Sequence, residues 1–96
     1  MEEKNEITSS SNFWRDVDKL PQEAHQKLAE LLEILADDAF DPRLHTKPLS
    51  PPLNGKYSFR ITRDWRVVFM FGNHHVIKLL LTGSRSNIYE RLKRML

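Results

Sequence analysis

Apolar residues recur at helical spacing through the first forty positions of the chain. The first stripe consists of Phe13, Trp14, Val17 and Leu20. The second stripe consists of Ala24, Leu28, Leu31, Leu32 and Leu35. The serines at positions 9–11 offer caps for a helix that carries the first stripe, and Pro21 suits the first turn of the next helix. The pattern predicts a helical hairpin, ending near Asp37, that is apolar inside and acidic outside.

The segment 1–8 precedes this hairpin and contains few apolar residues. Chain termini of this kind fray unless a sheet or a helix holds them. The segment is therefore predicted to be frayed or to form a short edge strand that includes Ile7 and Thr8. Residues 1–5 are expected to be frayed.

The segment 41–56 breaks the helical periodicity. It contains four prolines and Gly55, together with the basic or titratable residues Arg43, His45, Lys47 and Lys56. Proline removes a backbone donor and fixes φ, so this run predicts an ordered loop rather than a helix or a central strand.

Three strand signals follow the loop, at positions 57–62, 66–71 and 76–81. The first alternates apolar and polar residues, which is typical of a half-buried strand. The third is almost entirely apolar, as expected of a central strand with both faces covered.

The connections after the second and third strands carry turn signals. Gly72 and Asn73 predict a two-residue turn between these strands, and Gly83 is predicted to end the third strand. A short last helix follows, because three apolar residues return to helical spacing. These residues are Ile88, Leu92 and Met95.

At 96 residues the chain predicts one domain, covering residues 1–96. The fold class is α+β, with two N-terminal helices packed on an antiparallel sheet of about four strands and a short C-terminal helix. The apolar stretches are too short to span a membrane, and the N-terminus lacks the apolar run of a signal peptide. The cytoplasm is the expected location. The absence of cysteine excludes disulfides and thiolate metal sites.

Charge is divided unevenly between the two parts of the chain. Residues 1–41 hold 11 of the 13 acidic residues and a net charge of −7, whereas residues 42–96 hold 11 of the 15 basic residues and a net charge of +9. Asp64 and Glu90 are the only acids in the second part. A basic half of this density favours a polyanionic partner such as RNA or DNA. The alternative is a well-solvated basic face with no ligand.

Two arginines on neighbouring predicted strands sharpen this picture. If Tyr57 and Phe59 pack on the helices, Arg60 points to the opposite face of the sheet, and Arg66 does the same from the next strand. Arginine is seldom buried without a partner, and Asp64 is the only acid near these two in sequence. We therefore expect both arginines on an open, concave sheet face that binds an anion.

Three segments in the basic half occur in an order and spacing typical of one protein family. They read LNGKYSFRI at 53–61, DWRVVF at 64–69 and TGSRSNIY at 82–89. They are similar to the motifs L-x-G-x-[YW]-[SR]-x-R-I, [DGE]-[YWH]-R-[VL]-[VI]-[YF] and G-x-R-x-x-[IV]-Y. With the two preceding helices, the chain beyond residue 10 resembles the RelE/ParE superfamily of bacterial and archaeal toxins.

The resemblance implies the fold class given above and two possible activities. RelE-like members cut mRNA, generally in the ribosomal A site, whereas ParE-like members poison DNA gyrase and are not nucleases. Members of both kinds are held inactive by an antitoxin protein. The implied partners are mRNA in the ribosomal A site, the ribosome and a cognate antitoxin, with no membrane and no cofactor or metal.

Metal-free RNA cleavage uses the 2′-hydroxyl as nucleophile and needs a base, an acid and cations around the phosphate. The resemblance places Arg66 at the scissile phosphate and Arg85 in phosphate stabilisation or acid assistance. Arg60 falls where RelE-like enzymes keep a basic residue on the sheet face. For two of them the alternative is structural: Arg66 paired with Asp64 or Glu90, and Arg85 paired with a nearby acid. For Arg60 the alternative is a plain contact with the RNA backbone.

Other candidates come from the loop and the closing motif. Tyr89 matches a family tyrosine that stacks on a base or orients the nucleophile, and the alternative is a core aromatic that anchors the last helix. His45 and Lys47 lie where related nucleases place a base or a supporting residue, although lysine is a poor base unless it is desolvated. The chain departs from the family at Ser84, where many members carry a proton-transferring His, and at Ser58, which takes the place of a lysine.

Three functions follow from these residues. The leading hypothesis is the toxin of a type II toxin–antitoxin system that acts as a ribosome-dependent mRNA endonuclease. The first alternative is a ParE-like gyrase poison, which the arginine set and Tyr89 argue against. The second is a non-catalytic member that binds RNA or chiefly its antitoxin, which Ser84 favours.

Overall fold

A five-stranded sheet and three helices make up the computed structural model, which describes residues 4–96. The strands are β1 (Glu6–Ser9), β2 (Lys47–Pro48), β3 (Tyr57–Arg60), β4 (Trp65–Phe71) and β5 (Val76–Ser84). The helices are α1 (Phe13–Asp18), α2 (Gln22–Asp37) and α3 (Ile88–Met95), and a 3₁₀ turn spans Pro42–Leu44. In residues 4–96 no helix combines the length and the apolar character that a membrane crossing requires.

The strands lie in the order β1-β5-β4-β3-β2. β1 runs parallel to β5, and the other neighbours are antiparallel. The predicted α+β class is confirmed, but the prediction of an all-antiparallel sheet is wrong, because β1 joins as a parallel edge strand. β2 is the other edge and is only two residues long.

The N-terminal segment is held to the body of the protein from Asn5 onward. The Asn5 N–H donates to the Ala36 carbonyl at 2.7 Å, and Ile7 packs against the core. The predicted edge strand is therefore confirmed, while fraying at Asn5 is wrong. Lys4 is exposed, with its Nζ 3.3 Å from the Asp37 carboxylate, and the part of the prediction for residues 1–3 lies outside the described residues.

The two predicted helices form α1 and α2, and their apolar stripes build the main core against one sheet face, except for Trp14 of the first stripe, which is 53% exposed. Phe13, Val17 and Leu20 are buried there, as are the α2 leucines that face the sheet. The sheet contributes buried residues from three neighbouring strands. These are Phe59, Val67, Phe69, Ile77 and Leu79.

The connection between β4 and β5 differs from the prediction. It has four residues, 72–75, and is closed by a 2.7 Å bond from the Gly72 N–H to the Val76 carbonyl. His74 and His75, rather than Gly72 and Asn73, adopt left-handed backbone, with φ of 56° and 62°. At the far end, Gly83 does not end the strand, because its ladder with β4 continues through Ser84.

A second core covers the other sheet face. Val68 and Leu81 from the sheet pack there with Ile88 and Leu92 of α3 and with Leu53 from the proline-rich loop. The predicted open, concave face is therefore wrong over most of its length, because the loop and α3 close it. This packing does not extend to the end of β3 and the start of β4, where Arg60 and Arg66 lie.

Candidate functional site

Arg60 and Arg66 lie directly opposite each other on neighbouring strands. The register pairs Arg60 with Arg66, and Arg66 with Gly83 on the next strand. Residues that face each other in this way project to the same side of the sheet, with Cβ atoms about 5 Å apart. Two like charges at this spacing destabilise a sheet unless an anion lies between or over them.

Among residues 4–96, no acid neutralises this arginine pair. Arg66 is only 8% exposed, and the Nε atoms of both arginines are buried without a hydrogen-bond partner. Within residues 4–96, no carboxylate lies within ion-pair distance of either guanidinium. The two acids considered as structural partners are engaged elsewhere, Asp64 with Arg85 and Glu90 with Lys93.

Arg85 follows β5 at the same end of the sheet. Its N–H donates to the Asp64 carbonyl at 2.8 Å, and its Nε lies 3.5 Å from the Asp64 carboxylate. The two side chains are 50% and 68% exposed. An exposed pair of this kind contributes about 0–1 kcal/mol, so the Arg85 side chain is available to a ligand at little cost.

Tyr89 and Lys47 approach the arginine pair from opposite sides of Ser58. Lys47 is the cross-strand partner of Ser58, and the Tyr89 hydroxyl donates to the Ser58 Oγ at 3.4 Å. Ser58 and Arg60 are two residues apart on β3 and therefore share a face. The structure thus brings Lys47, Arg60, Arg66 and Tyr89 to one side of the sheet.

A groove of about 410 Å³ lies between the proline-rich loop and α3; Lys47 and Tyr89 line it, whereas Arg60, Arg66 and Arg85 do not. We call it the loop groove, and its lining includes Lys47, Leu53, Tyr89 and Lys93. Sequence reasoning missed Lys93. The signal was present, because Lys93 lies four residues after Tyr89 and such residues share a helix face.

His45 stands apart from this group. It is exposed, has left-handed backbone with φ of 52° after the 3₁₀ turn, and does not line the loop groove. The described part of the chain offers its side chain no hydrogen bond or ion pair. Its suggested role as a base therefore stays a prediction from the resemblance.

Ser84 occupies the position of the family's proton-transferring histidine. Its Oγ donates to the Asn87 Oδ1 at 2.9 Å and lies 3.0 Å from the Ser86 Oγ. These contacts tie Ser84 into the turn that precedes α3. In the stretch 4–96 no cluster of three or more His, Asp or Glu residues is arranged to hold a metal ion.

A third arginine environment, which sequence reasoning did not find, fixes α3 over the sheet. Arg91 donates to the Asp16 Oδ1 at 2.7 Å and to the Thr82 carbonyl at 3.0 Å. The Asp16 side chain is 7% exposed and also accepts from the Thr82 N–H at 3.3 Å. Gly83 makes room for this contact, because a Cβ there would lie 2.7 Å from Arg91 Nη1.

An exposed ion pair at the 3₁₀ turn shifts the titration of its members. The Arg43 guanidinium and N–H both donate to the Asp41 carboxylate, at 2.9–3.0 Å. The side-chain hydrogen bond from Arg43 holds the pKa of Asp41 below its usual value, and the same bond raises the pKa of Arg43. This pair does not line the loop groove.

Solved structures with the same fold include the toxins of toxin–antitoxin complexes. YafQ from Escherichia coli is 22% identical with a TM-score of 0.71, and the match covers 90% of this chain and 99% of that one. The toxin–antitoxin complex RelBE2 from Mycobacterium tuberculosis is 23% identical with a TM-score of 0.71, covering 85% and 99%. A YoeB/ParE toxin from Agrobacterium tumefaciens is 18% identical with a TM-score of 0.71, covering 83% and 98%.

These matches show that the chain has the RelE-like toxin fold. No protein-family model matches the sequence, and no curated protein matches it significantly. The likeness therefore establishes architecture, and the chemistry has to be argued from the residues of this chain.

Proposed function

We propose that this protein is the toxin of a type II toxin–antitoxin pair and that it cleaves mRNA on the ribosome. The observation that carries the proposal is the Arg60–Arg66 pair, buried at Nε and without a counter-ion in the described residues. The RelE-like fold and the match of the closing motif support it.

The arginine pair is unfavourable as a purely structural feature. A buried cation without a partner loses hydration that nothing returns, and two cations side by side repel each other. A phosphodiester resolves both problems, because each guanidinium can donate two parallel hydrogen bonds to phosphate oxygens. A bound anion thus stabilises the two guanidinium groups better than the protein alone does.

In the proposed reaction the 2′-oxygen attacks the adjacent phosphorus, and the bond from phosphorus to the 5′-oxygen breaks. The 2′-hydroxyl loses its proton and the departing 5′-oxygen gains one, which leaves a 2′,3′-cyclic phosphate and a 5′-hydroxyl. Arg60 and Arg66 stabilise the charge that gathers on the non-bridging oxygens. Arg85 assists at the leaving oxygen.

The groove residues position the RNA. The Tyr89 ring offers a surface on which a base can stack, and Lys47 and Lys93 contact the backbone along the loop groove. The proposal assigns no step to His45, because that side chain does not line the groove. Alignment of the RNA by the ribosome supplies much of the rate in place of a dedicated base.

A cleavage assay with purified protein, a defined mRNA and programmed ribosomes tests the proposed function. We expect the mRNA to be cut only when ribosomes are present and the 2′-hydroxyl is intact. The double variant Arg66→Ala/Arg85→Ala should fold and fail to cut. Full cleavage by that variant would falsify the site assignment.

A non-catalytic RNA-binding role is the second candidate, because Ser84 is locked in the turn and offers no replacement for the family histidine. In the same assay this role predicts RNA that is bound and left intact. Gyrase-dependent DNA breaks with intact mRNA would instead identify a gyrase poison. That outcome has to be tested because the fold is shared with a YoeB/ParE toxin.

The proposed partner is an antitoxin protein, as in the RelBE2 complex. It should be encoded by a short reading frame beside the gene for this chain. Co-expression of the two products should yield a stable complex that does not cut mRNA. A chain that remains uninhibited by its neighbour's product would contradict this part of the proposal.

A further inference from the structure

A second basic groove lies between α1 and α3, outside the site described above. It has a volume of about 350 Å³, and we call it the helix groove. Its cationic lining residues are Arg15, Lys19, Arg91 and Arg94. Arg15 and Lys19 are four residues apart, so they project from the same side of α1 and its C-terminal cap.

Arg15 and Lys19 thus bring positive charge to the helix groove, although they belong to residues 1–41, the acidic part of the sequence. Asp16 is the only carboxylate among the residues that line the helix groove, and it is bound to Arg91 and to the Thr82 N–H. Over residues 4–96, Arg15, Lys19 and Arg94 have no ion-pair partner. Since Arg15, Lys19, Arg91 and Arg94 outnumber Asp16, the lining carries a formal net charge of +3.

We propose that the helix groove binds the sugar–phosphate backbone of RNA at a place separate from the cleavage site. The two grooves lie on different sides of α3, since Tyr89 and Lys93 line the loop groove while Arg91 and Arg94 line the helix groove. Long, unpaired cations at the walls can follow phosphates without reading a base sequence.

The construction of the groove favours RNA over an acidic peptide. A peptide would need apolar pockets or a free strand edge. The apolar floor is nearly closed, with Leu80 8% and Leu81 1% exposed, and Met95, 52% exposed, is the other apolar side chain in the lining among residues 4–96. The edge of β5 is occupied, because Ser10 bonds to the carbonyls of Leu79 and Leu80 and Asp16 accepts from Thr82.

The choice of RNA as ligand rests on the proposed function, but its test does not depend on cleavage. The probe is a fluorescent RNA hairpin with 2′-O-methyl groups, which lacks the 2′-hydroxyl proton that cleavage needs. Its affinity is measured by anisotropy at several salt concentrations. The slope of log K against log salt counts the phosphates that cations neutralise.

The test compares two variants that each remove two positive charges. Arg15→Gln/Arg94→Gln alters the helix groove, and Lys27→Gln/Lys78→Gln removes exposed lysines that line neither groove. We expect the first variant to bind roughly 10-fold more weakly and to lower the salt slope by about 1.5. The second should stay near wild type. Circular dichroism checks that both variants fold.

Equal losses in the two variants, or no loss in the first, would overturn the inference. So would a polyglutamate peptide that binds the helix groove more tightly than the hairpin and loses affinity in the Arg15/Arg94 variant. If the proposed function alone is wrong, the result is different: the salt slope still depends on the helix groove, but the mRNA stays intact in the ribosome assay. Cleavage that needs Arg66, with no groove-dependent slope, rejects the helix groove alone.

Discussion

Arg66 and Arg91 flank the same glycine and have opposite surroundings. Arg66 faces Gly83 across the sheet, and Arg91 lies over the place where a Gly83 side chain would be. Arg91 is 36% exposed and bonded to a buried carboxylate, whereas Arg66 is 8% exposed and meets no carboxylate among residues 4–96. Arg91 therefore serves the fold, whereas Arg66 is able to bind a ligand.

The two arginines differ in what the folded protein loses when each side chain is removed. Breaking a buried pair leaves one uncompensated charge behind, which is costly to the fold. Removing an unpaired buried cation leaves no other charge without a partner. The folded state then loses little stabilisation, and it no longer has to desolvate that cation. Stability and activity should therefore respond in opposite ways at the two positions.

The largest expected effect is on catalysis by Arg66→Met. We expect single-turnover cleavage of ribosome-bound mRNA to fall by about 10²–10³-fold, because a donor to the transition-state phosphate is lost. The melting temperature should stay constant or rise, since methionine fills similar space without a charge. Unchanged cleavage together with a large loss of stability would reverse the assignment of Arg66.

The matched substitution Arg91→Met should show the reverse pattern. Asp16 then stays buried without its partner, and the free energy of unfolding in urea should fall by about 2 kcal/mol, a value reduced from that of fully buried pairs because Arg91 is partly exposed. Adding Asp16→Asn should recover part of this loss, because the amide removes the uncompensated charge. A double variant no more stable than Arg91→Met would argue against the ion pair as the cause.

A smaller effect is expected for Tyr89→Phe. Within residues 4–96 the hydroxyl makes one long hydrogen bond, 3.4 Å to Ser58, so its loss should change cleavage by no more than about 3-fold. Tyr89→Ala removes the ring as well and should cost more than 10-fold, since stacking on a base is lost. If both variants lost the same activity, the hydroxyl rather than the ring would be the important group.

The smallest effect is expected at the exposed pair of Asp41 and Arg43. The folded pKa of Asp41 lies below its usual value, so its contribution to stability is present above that usual value and is lost as the pH falls through the folded pKa. Wild type should therefore be slightly more stable than Asp41→Asn at pH 7. The gap should close in acid thermal melts, and a gap that widened in acid would contradict the sign.

Local patterns in the sequence were enough to place most of the elements. The stripes that predicted two helices became α1 and α2, and the alternation from Tyr57 onward put Arg60 and Arg66 on one face. Both patterns depend on residues close in sequence, which is why periodicity finds them. The pairing of Arg60 with Arg66 follows from the same alternation once the two strands are neighbours.

Contacts between distant segments could not be predicted in this way. Asp16 and Arg91 are 75 positions apart, so no local pattern links them, and the acids considered as partners for an arginine were Asp64 and Glu90, which lie in the same part of the chain as Arg66. The parallel pairing of β1 and the cover that α3 places on the second sheet face also depend on tertiary packing. The site residues themselves stay predictions until cleavage is measured.

Both borders of the sheet discourage self-association. β2 offers two residues, one of them Pro48, which has no N–H to give, and β1 offers four. Short borders with proline make poor templates for strands from another molecule. Concentrated molecules of this protein therefore have little means of joining edge to edge into fibrils.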